Sequence, residues 1–301
     1  MKNTYSKVIA WKVFLVSCFA SLQLISLSQT YPFRDKSLSE DERIRNLISL
    51  MTIDDKINCL STRLTVPRLG ITGTHTIEGL HGLAYSGPAN WTVMGTKASP
   101  TTIFPQSIGL AATWDPDLLR QVADEEATEC RYLAQNKNFG IAGLIVFAPN
   151  ADMGREIRWG RTEECYGEDP FLNGSLVAAF VRGLQGDDKS YWKTASLMKH
   201  FLANSNENNR AYTSSDFDER LLHEYYSYAF YKGVTEGGSQ AFMTAYNKYN
   251  GIPCTVSPVL RNVVMNQWGS EALFAPTVAP SDSSCRPMPI IKPFLRLQPA
   301  A

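Results

Sequence analysis

The chain contains no CxxC pair, no HExxH and no GxGxxG following an apolar run. These gaps set aside zinc sites of the usual spacing and a dinucleotide-binding turn. No Gly-rich loop opens a helix, so phosphate lacks a ready cradle. An excess of one charge is missing too: 29 Lys and Arg balance 29 Asp and Glu. Balanced charge without blocks of one sign argues against nucleic acid as main partner and against a charged tail. No repeat of fixed period is visible, and beyond the N-terminus no run is apolar enough to cross a bilayer. The six cysteines, Cys18, Cys59, Cys130, Cys165, Cys254 and Cys285, are scattered. Outside the cytosol they are free to form disulfides, but spacing alone pairs none of them.

The 301 residues, 44% hydrophobic, suit one large domain or two small ones. Lys2, Lys7 and Lys12 precede the apolar run "VFLVSCFASLQLISLS". A basic start, a short apolar core and small residues near its end predict a secretory signal peptide over 1–28 and a secreted or periplasmic protein. A lipoprotein box ending at Cys18 and a buried first helix are the weaker readings.

From Asp41 onward, helical periodicity alternates with short apolar runs. "DERIRNLISLMTIDDKINCL" puts Ile44, Leu47, Ile48 and Met51 on one helical face. "SIGLAAT" reads as a buried strand. Asp115 caps and Pro116 opens a helix carrying Leu119, Val122, Ala123, Ala127 and Cys130 inward. "GLIVFAP" reads as a strand. Asp169-Pro170 start a helix with Phe171, Leu172, Leu176, Phe180 and Leu184 apolar, stopped by Gly186. "TASLMKHF" and "AFMTAYN" are further strands. A helix runs from Asp218 to Gly237-Gly238, and another from Ser257-Pro258 to Trp268. Such alternation predicts βα units and a parallel sheet, with an α/β (β/α)8 barrel as the leading architecture and a doubly wound sheet second.

Polar residues cluster where these strands end. Lys199-His200 end one, Tyr246-Asn247 end another, and Asp152 and Arg155 follow a third. "TIEGLHG" adds Glu78 and His81 in a Gly-rich loop, and "EIRWGRTEECYGEDPF" a dense mixture of charges. In barrels the loops at the carboxyl ends of the strands build the active site. Arginine, ammonium, imidazole and carboxylate together both donate to and accept from sugar hydroxyls. Trp91, Trp159 and Tyr166 are candidates to stack on the apolar face of a pyranose.

These segments, in this order, resemble glycoside hydrolase family 3. The resemblance rests on "RIRNLISLMTIDDKI", "EGLHG", "TIFPQSIGLAATWDPDLL", "GRTEECYGEDPFL", "KHF", "MTAYNKYNGIPC" and "QWG". It implies a retaining hydrolase of terminal β-linked sugars, β-glucosidase-type first and β-xylosidase as runner-up, with a β-glycoside or oligosaccharide as partner and neither cofactor nor metal. It further implies that Glu78 binds sugar hydroxyls in the first subsite, as a longer variant of the aspartate many members carry. Arg161, Lys199 and His200 then clamp the glycone, and Glu164 and Tyr246 orient the clamp and the nucleophile. Glu163, Glu168 and Asp169 hold the loop and cap its helix, while Arg155 and Arg158 are structural.

Retention needs two carboxyl groups. The family's nucleophile, an Asp nine residues after the Trp of "WG", falls here on Thr277. The acid/base, in the family, is a Glu of a second domain. Residues 29–269 therefore read as a partial barrel domain, incomplete at its C-terminal end, and 270–301 as an aberrant, disordered tail without strand pattern; Asp282 is not accepted as nucleophile. Read from the third base of the Phe274 codon, the following codons can spell Cys-Thr-Asp-Gly-Gly-Ala, with the Asp triplet ending in the Thr277 codon. A frame change between Gly269 and Phe274 is the expected origin of the tail. The chain as given is expected to be inactive. The competing readings are a non-catalytic sugar-binding protein and a non-functional fragment whose open sheet edge invites aggregation.

Overall fold

The computed structural model describes residues 31–59, 65–71, 76–84, 100–136, 143–189, 191–270 and the backbone of 273–276. The signal-peptide segment, Trp91, Thr277 and Asp282 lie outside the described residues. The chain divides into two compact units, 1–51 and 52–301.

In the first unit, helix α1 (Glu40–Leu50) starts at Ser39. The Ser39 side chain accepts from the Glu42 N–H, and the Glu42 carboxylate accepts from the Ser39 N–H in return. Arg43 Nε donates to the Phe33 carbonyl at 2.8 Å. The single helix expected over this stretch is interrupted. At the start of the second unit, Thr52 and Asp55 form a second capping box, which starts α2 (Ile53–Asn58). Two adjacent start signals outcompete continuation, and Ile48 of the expected apolar face stays exposed.

The second unit is built on a parallel sheet. Its strands are β1 (Thr76–Glu78), β2 (Ile145–Phe147), β3 (Ala195–Ser196), β4 (Met198–Phe201), β6 (Ala241–Thr244) and β9 (Leu273–Pro276). Each pairs with the strand before it in the series, apart from β3 and β4, which follow one another across Leu197. Sequential order with all strands parallel, and a helix returning the chain between them, is the winding of a (β/α)8-type barrel rather than a doubly wound sheet. A side ribbon joins β5 (Ser214–Ser215) to β7 (Lys248–Tyr249), which turns at Asn250-Gly251 into β8 (Ile252–Pro253).

Between the strands run α3 (Ser107–Ala111), α4 (Pro116–Gln135), α5 (Pro170–Gln185), α6 (Glu219–Leu221) and α7 (Tyr228–Thr235). Asp115 accepts the Asp117 and Leu118 N–H groups at the head of α4. Its expected inward residues Leu119, Val122, Ala123, Ala127 and Cys130 are all buried. Asp169 caps α5, and Gly186 ends it at φ 74°, a left-handed conformation that costs glycine least. Helix α5 is apolar nearly all round because it packs between α4 and α7 with the sheet beneath. Phe171 is the exception; it stays exposed under the Lys232 ammonium, 4.6 Å from its ring centroid.

Two expectations are corrected. "SIGLAAT" is the helix α3, not a strand: a short apolar run is ambiguous by periodicity, and its Ala and Gly residues, with no β-branched run, leave the helix open. The tail is not without strand structure at its start, since Leu273–Pro276 pairs in parallel with β6 in unbroken register. The sheet thus extends past Gly269. The four described cysteines are buried free thiols.

Candidate functional site

Glu78 is the last residue of β1. Asn150 and Asp152 follow β2, Lys199 and His200 are the two middle residues of β4, and Tyr246 stands two residues beyond β6. The parallel winding brings all of these to the carboxyl ends of neighbouring strands. Lys199 Nζ meets Glu78 Oε2 at 2.7 Å. The lysine is 3% exposed, where an unpaired ammonium would be costly, while a third of the Glu78 side chain stays open. Arg161 holds Glu164 with two parallel hydrogen bonds, Nε to Oε1 at 2.9 Å and Nη2 to Oε2 at 2.6 Å. Asn150 Nδ2 also donates to Glu164 Oε2, at 3.2 Å. Burial works to raise the Glu164 carboxyl, but Arg161, Lys199 and Asn150 overcome it and hold it below its ordinary range.

His200 and Asp152 form the deepest pair. Nδ1 lies 2.8 Å from Asp152 Oδ2, which also receives the His200 backbone N–H at 3.2 Å. Burial, then the Arg161, Lys199 and Arg210 cations, drive the imidazole toward its neutral form. Burial pushes the Asp152 carboxyl up to about 8. The contact with Asp152 occupies Nδ1 and leaves Nε2 as the ring atom for a further hydrogen bond, as donor or acceptor according to the tautomer.

Tyr246 is partly buried beneath the Arg210 guanidinium, 4.4 Å from its ring centroid. Arg210 Nη1 pairs with Glu207 Oε2 at 2.6 Å, and Glu207 Oε1 accepts from Trp159 Nε1 at 3.0 Å. Of these, Glu207 and Trp159 line a polar cleft of about 760 Å³ between the loops that follow β2 and β4. Its far wall is the Arg155 guanidinium stacked on Tyr226, with Phe217 behind.

Two stacking candidates are corrected. Tyr166 is 1% exposed and packs against Phe180 in the core, and Trp159 is 4% exposed with its indole edge spent on Glu207. Their aromatic surface is committed to packing. His81 turns its Nδ1 to the Phe104 carbonyl at 3.2 Å. Glu163 and Glu168 stand on the surface. Asn150, Glu207, Arg210 and Glu126 were not singled out from the sequence; the first lies in the loop after β2 and the next two in the loop after β4, which is the available signal.

The arrangement brings donors (Arg161, Lys199) together with a carboxylate acceptor (Glu78) and an imidazole (His200), as a polyol requires. Every carboxylate named at this mouth is engaged, Glu78 by Lys199, Glu164 by Arg161 and Asp152 by His200. Among the described residues no group of three metal-binding side chains converges.

A family model described as the glycosyl hydrolase family 3 N-terminal domain matches residues 90–284. "Probable beta-D-xylosidase 7" of Arabidopsis thaliana is 37% identical over 260 residues, 80% of this chain and 33% of that protein. A "Beta-glucosidase" of Rhizobium radiobacter is 33% identical over 236 residues, 76% of this chain and 26% of that protein. Among solved structures, a GH3 exo-β-xylosidase in complex with a xylobiose aziridine probe superposes with TM-score 0.70 at 26% identity, covering 84% of this chain and 33% of that one. β-Glucosidase 3B from Thermotoga neapolitana in complex with α-D-glucose gives TM-score 0.66 at 28% identity, covering 78% and 33%. The chain spans about a third of the length of the curated relatives it matches.

Proposed function

The chain belongs to glycosyl hydrolase family 3, and on that footing we propose that its strand-end mouth is the glycone site of a retaining β-glycosidase. The observation that carries this reading is the Lys199–Glu78 ion pair beside the Arg161–Glu164 fork and the His200–Asp152 pair. Glu78, Arg161, Lys199 and His200 clamp the sugar. Glu164 aims Arg161, and Tyr246, under Arg210, closes the side next to β9.

The nucleophile is assigned to position 277. Support comes from β9, which pairs with β6 as far as Thr244 with Pro276, one position before it in the sequence. Threonine there has no carboxylate to form a glycosyl-enzyme, so the chain binds sugar without hydrolysing it. A frame change before Phe274 accounts for Thr277. Sequencing the gene checks it, and anything but an Asp triplet in the shifted frame removes it.

A xyloside is favoured over a glucoside by Glu78, whose extra methylene relative to aspartate takes up room at the mouth, and by relatives named β-xylosidase. Secretion through the N-terminal segment is part of the same proposal. Calorimetric titration of the purified, folded chain with D-xylose and D-glucose tests the site. Binding of xylose that is lost in Lys199→Met is expected. Tighter glucose binding removes the xyloside preference, and absence of both signals removes the glycone site.

A further inference from the structure

The carboxyl of Glu126 sits in the middle of α4, fully buried, and takes no part in the clamp. Its Oε2 accepts the Gly82 backbone N–H at 3.2 Å. Gly79, the residue after Glu78, passes so close that a Cβ there would lie 2.1 Å from Glu126 Oε1. Gly82 itself has φ 109°, and a Cβ on it would meet the Thr102 carbonyl at 2.1 Å. The turn Gly79-Leu80-His81-Gly82 is therefore laid directly on the carboxyl.

A second tie runs through the same helix. Glu129, three residues further along α4, accepts the Thr102 N–H through both oxygens at 3.1 Å and the Thr102 hydroxyl as well. The Thr101–Phe104 segment in turn binds the turn. Thr101 Oγ1 donates to the Leu83 carbonyl at 2.7 Å, and the Phe104 N–H donates to the His81 carbonyl at 2.9 Å. One helix thus fastens the chain on the far side of Glu78 at two points, directly by Glu126 and through a strap by Glu129.

Glu78 itself has few other constraints. It ends a three-residue strand, and its carboxylate is a third exposed. Beyond β1 its backbone is held by the Ala84 N–H, which donates to the Glu78 carbonyl at 3.0 Å across the mouth of the turn, and the turn between these two residues is held by α4. We propose that Glu126 is a positioning residue, its buried carboxyl holding the Gly79–Gly82 turn so that Glu78 stays aimed at Lys199 and the sugar site. Burial pushes this carboxyl well above its ordinary range, which suits a group held as a neutral hydrogen-bonding prop. The inference rests on the glycone site proposed above for its consequence, but not for its geometry.

The test uses the full chain with two readouts. Hydrogen exchange of the peptide spanning 79–84 reports the Gly82 N–H directly, and titration with D-xylose reports the site. Glu126→Ala is expected to exchange this segment at least about tenfold faster and to bind xylose about tenfold more weakly, which is about 1.4 kcal/mol. Glu126→Gln keeps an acceptor of the same reach and is expected to restore both to within about twofold. Leu119→Ala, in the same helix, lowers stability through a cavity but leaves both readouts of the folded protein unchanged. Wild-type exchange and affinity in Glu126→Ala overturn the proposal, as does a Leu119→Ala variant that reproduces its effects. If the wild type binds no xylose, the glycone reading falls, and exchange at Gly82 alone decides the role of Glu126.

Discussion

Arg158 and Arg161 stand three residues apart in one loop, and each grips a glutamate through a bidentate fork. Arg158 binds Glu156 at 2.8 and 2.7 Å, and Arg161 binds Glu164 at 2.9 and 2.6 Å. The chemistry is the same and the surroundings are opposite. Arg158 is 86% exposed, so water screens its pair and supplies alternative partners. Arg161 is 23% exposed and lies among Asn150, Lys199 and the His200–Asp152 pair, where few alternatives exist. A surface ion pair contributes little because its charges are satisfied with or without each other. An inward pair makes each partner a condition for burying the other.

The largest break in this comparison is Arg161→Ala. It leaves Glu164 half-buried without its fork, and the expected loss is about 3 kcal/mol in denaturant unfolding, together with loss of xylose binding. A variant that keeps both stability and binding would place Arg161 with Arg158.

The buried pair next to it predicts a pH dependence that the surface pair lacks. His200 is held neutral and Asp152 is pushed up to about 8, so the native pair keeps one proton up to that pH. In the unfolded chain, with ordinary values of about 3.9 and 6.5, both groups have released theirs. The native state then binds more protons than the unfolded one. Stability is therefore expected to fall as pH rises from about 6.5 to 8, by about 1.4 kcal/mol per unit, or about 2 kcal/mol in all. Unfolding measured at both ends of this window checks it. Asp152→Asn should flatten the slope, and an equally steep slope in that variant assigns the dependence to another group.

The smallest effect sharpens the comparison from the other side. Arg158→Ala is expected to leave the unfolding midpoint and xylose affinity unchanged. Its one signature is local. Hydrogen bonds from Arg158 hold the Glu156 carboxyl down at about 2, and carbon-detected NMR titration of the variant should show it return toward the ordinary carboxylate range. A shifted midpoint would make the exposed pair structural after all.

Much of this was legible in the chain. Asp115-Pro116 and Asp169-Pro170 announce helix starts by local chemistry, since the cap and the fixed φ act within one turn. Lys199-His200 and Tyr246 at the ends of apolar runs pointed to a mouth because parallel winding sends all such ends the same way. Local signals failed where the competing states are close in energy or the partner is remote. "SIGLAAT" suits a helix or a strand equally until its neighbours decide. Trp159 and Tyr166 look the same in sequence whether they face a sugar or a core. Glu126 reads as one more acid on an amphipathic helix, and only the turn folded onto it, 44 residues earlier in the chain, reveals the carboxyl as buried.

By itself the sequence determined the strands β2, β4 and β6, the caps of α4 and α5, and the family motifs at the strand ends, because these depend on neighbours a few residues away. The tertiary structure alone decided that Glu126 is buried against the Gly79–Gly82 turn, that His200 is paired with Asp152, and that Leu273–Pro276 joins the sheet. Each of these is settled by desolvation and by contacts between segments tens of residues apart, and neither is present until the sheet closes over them.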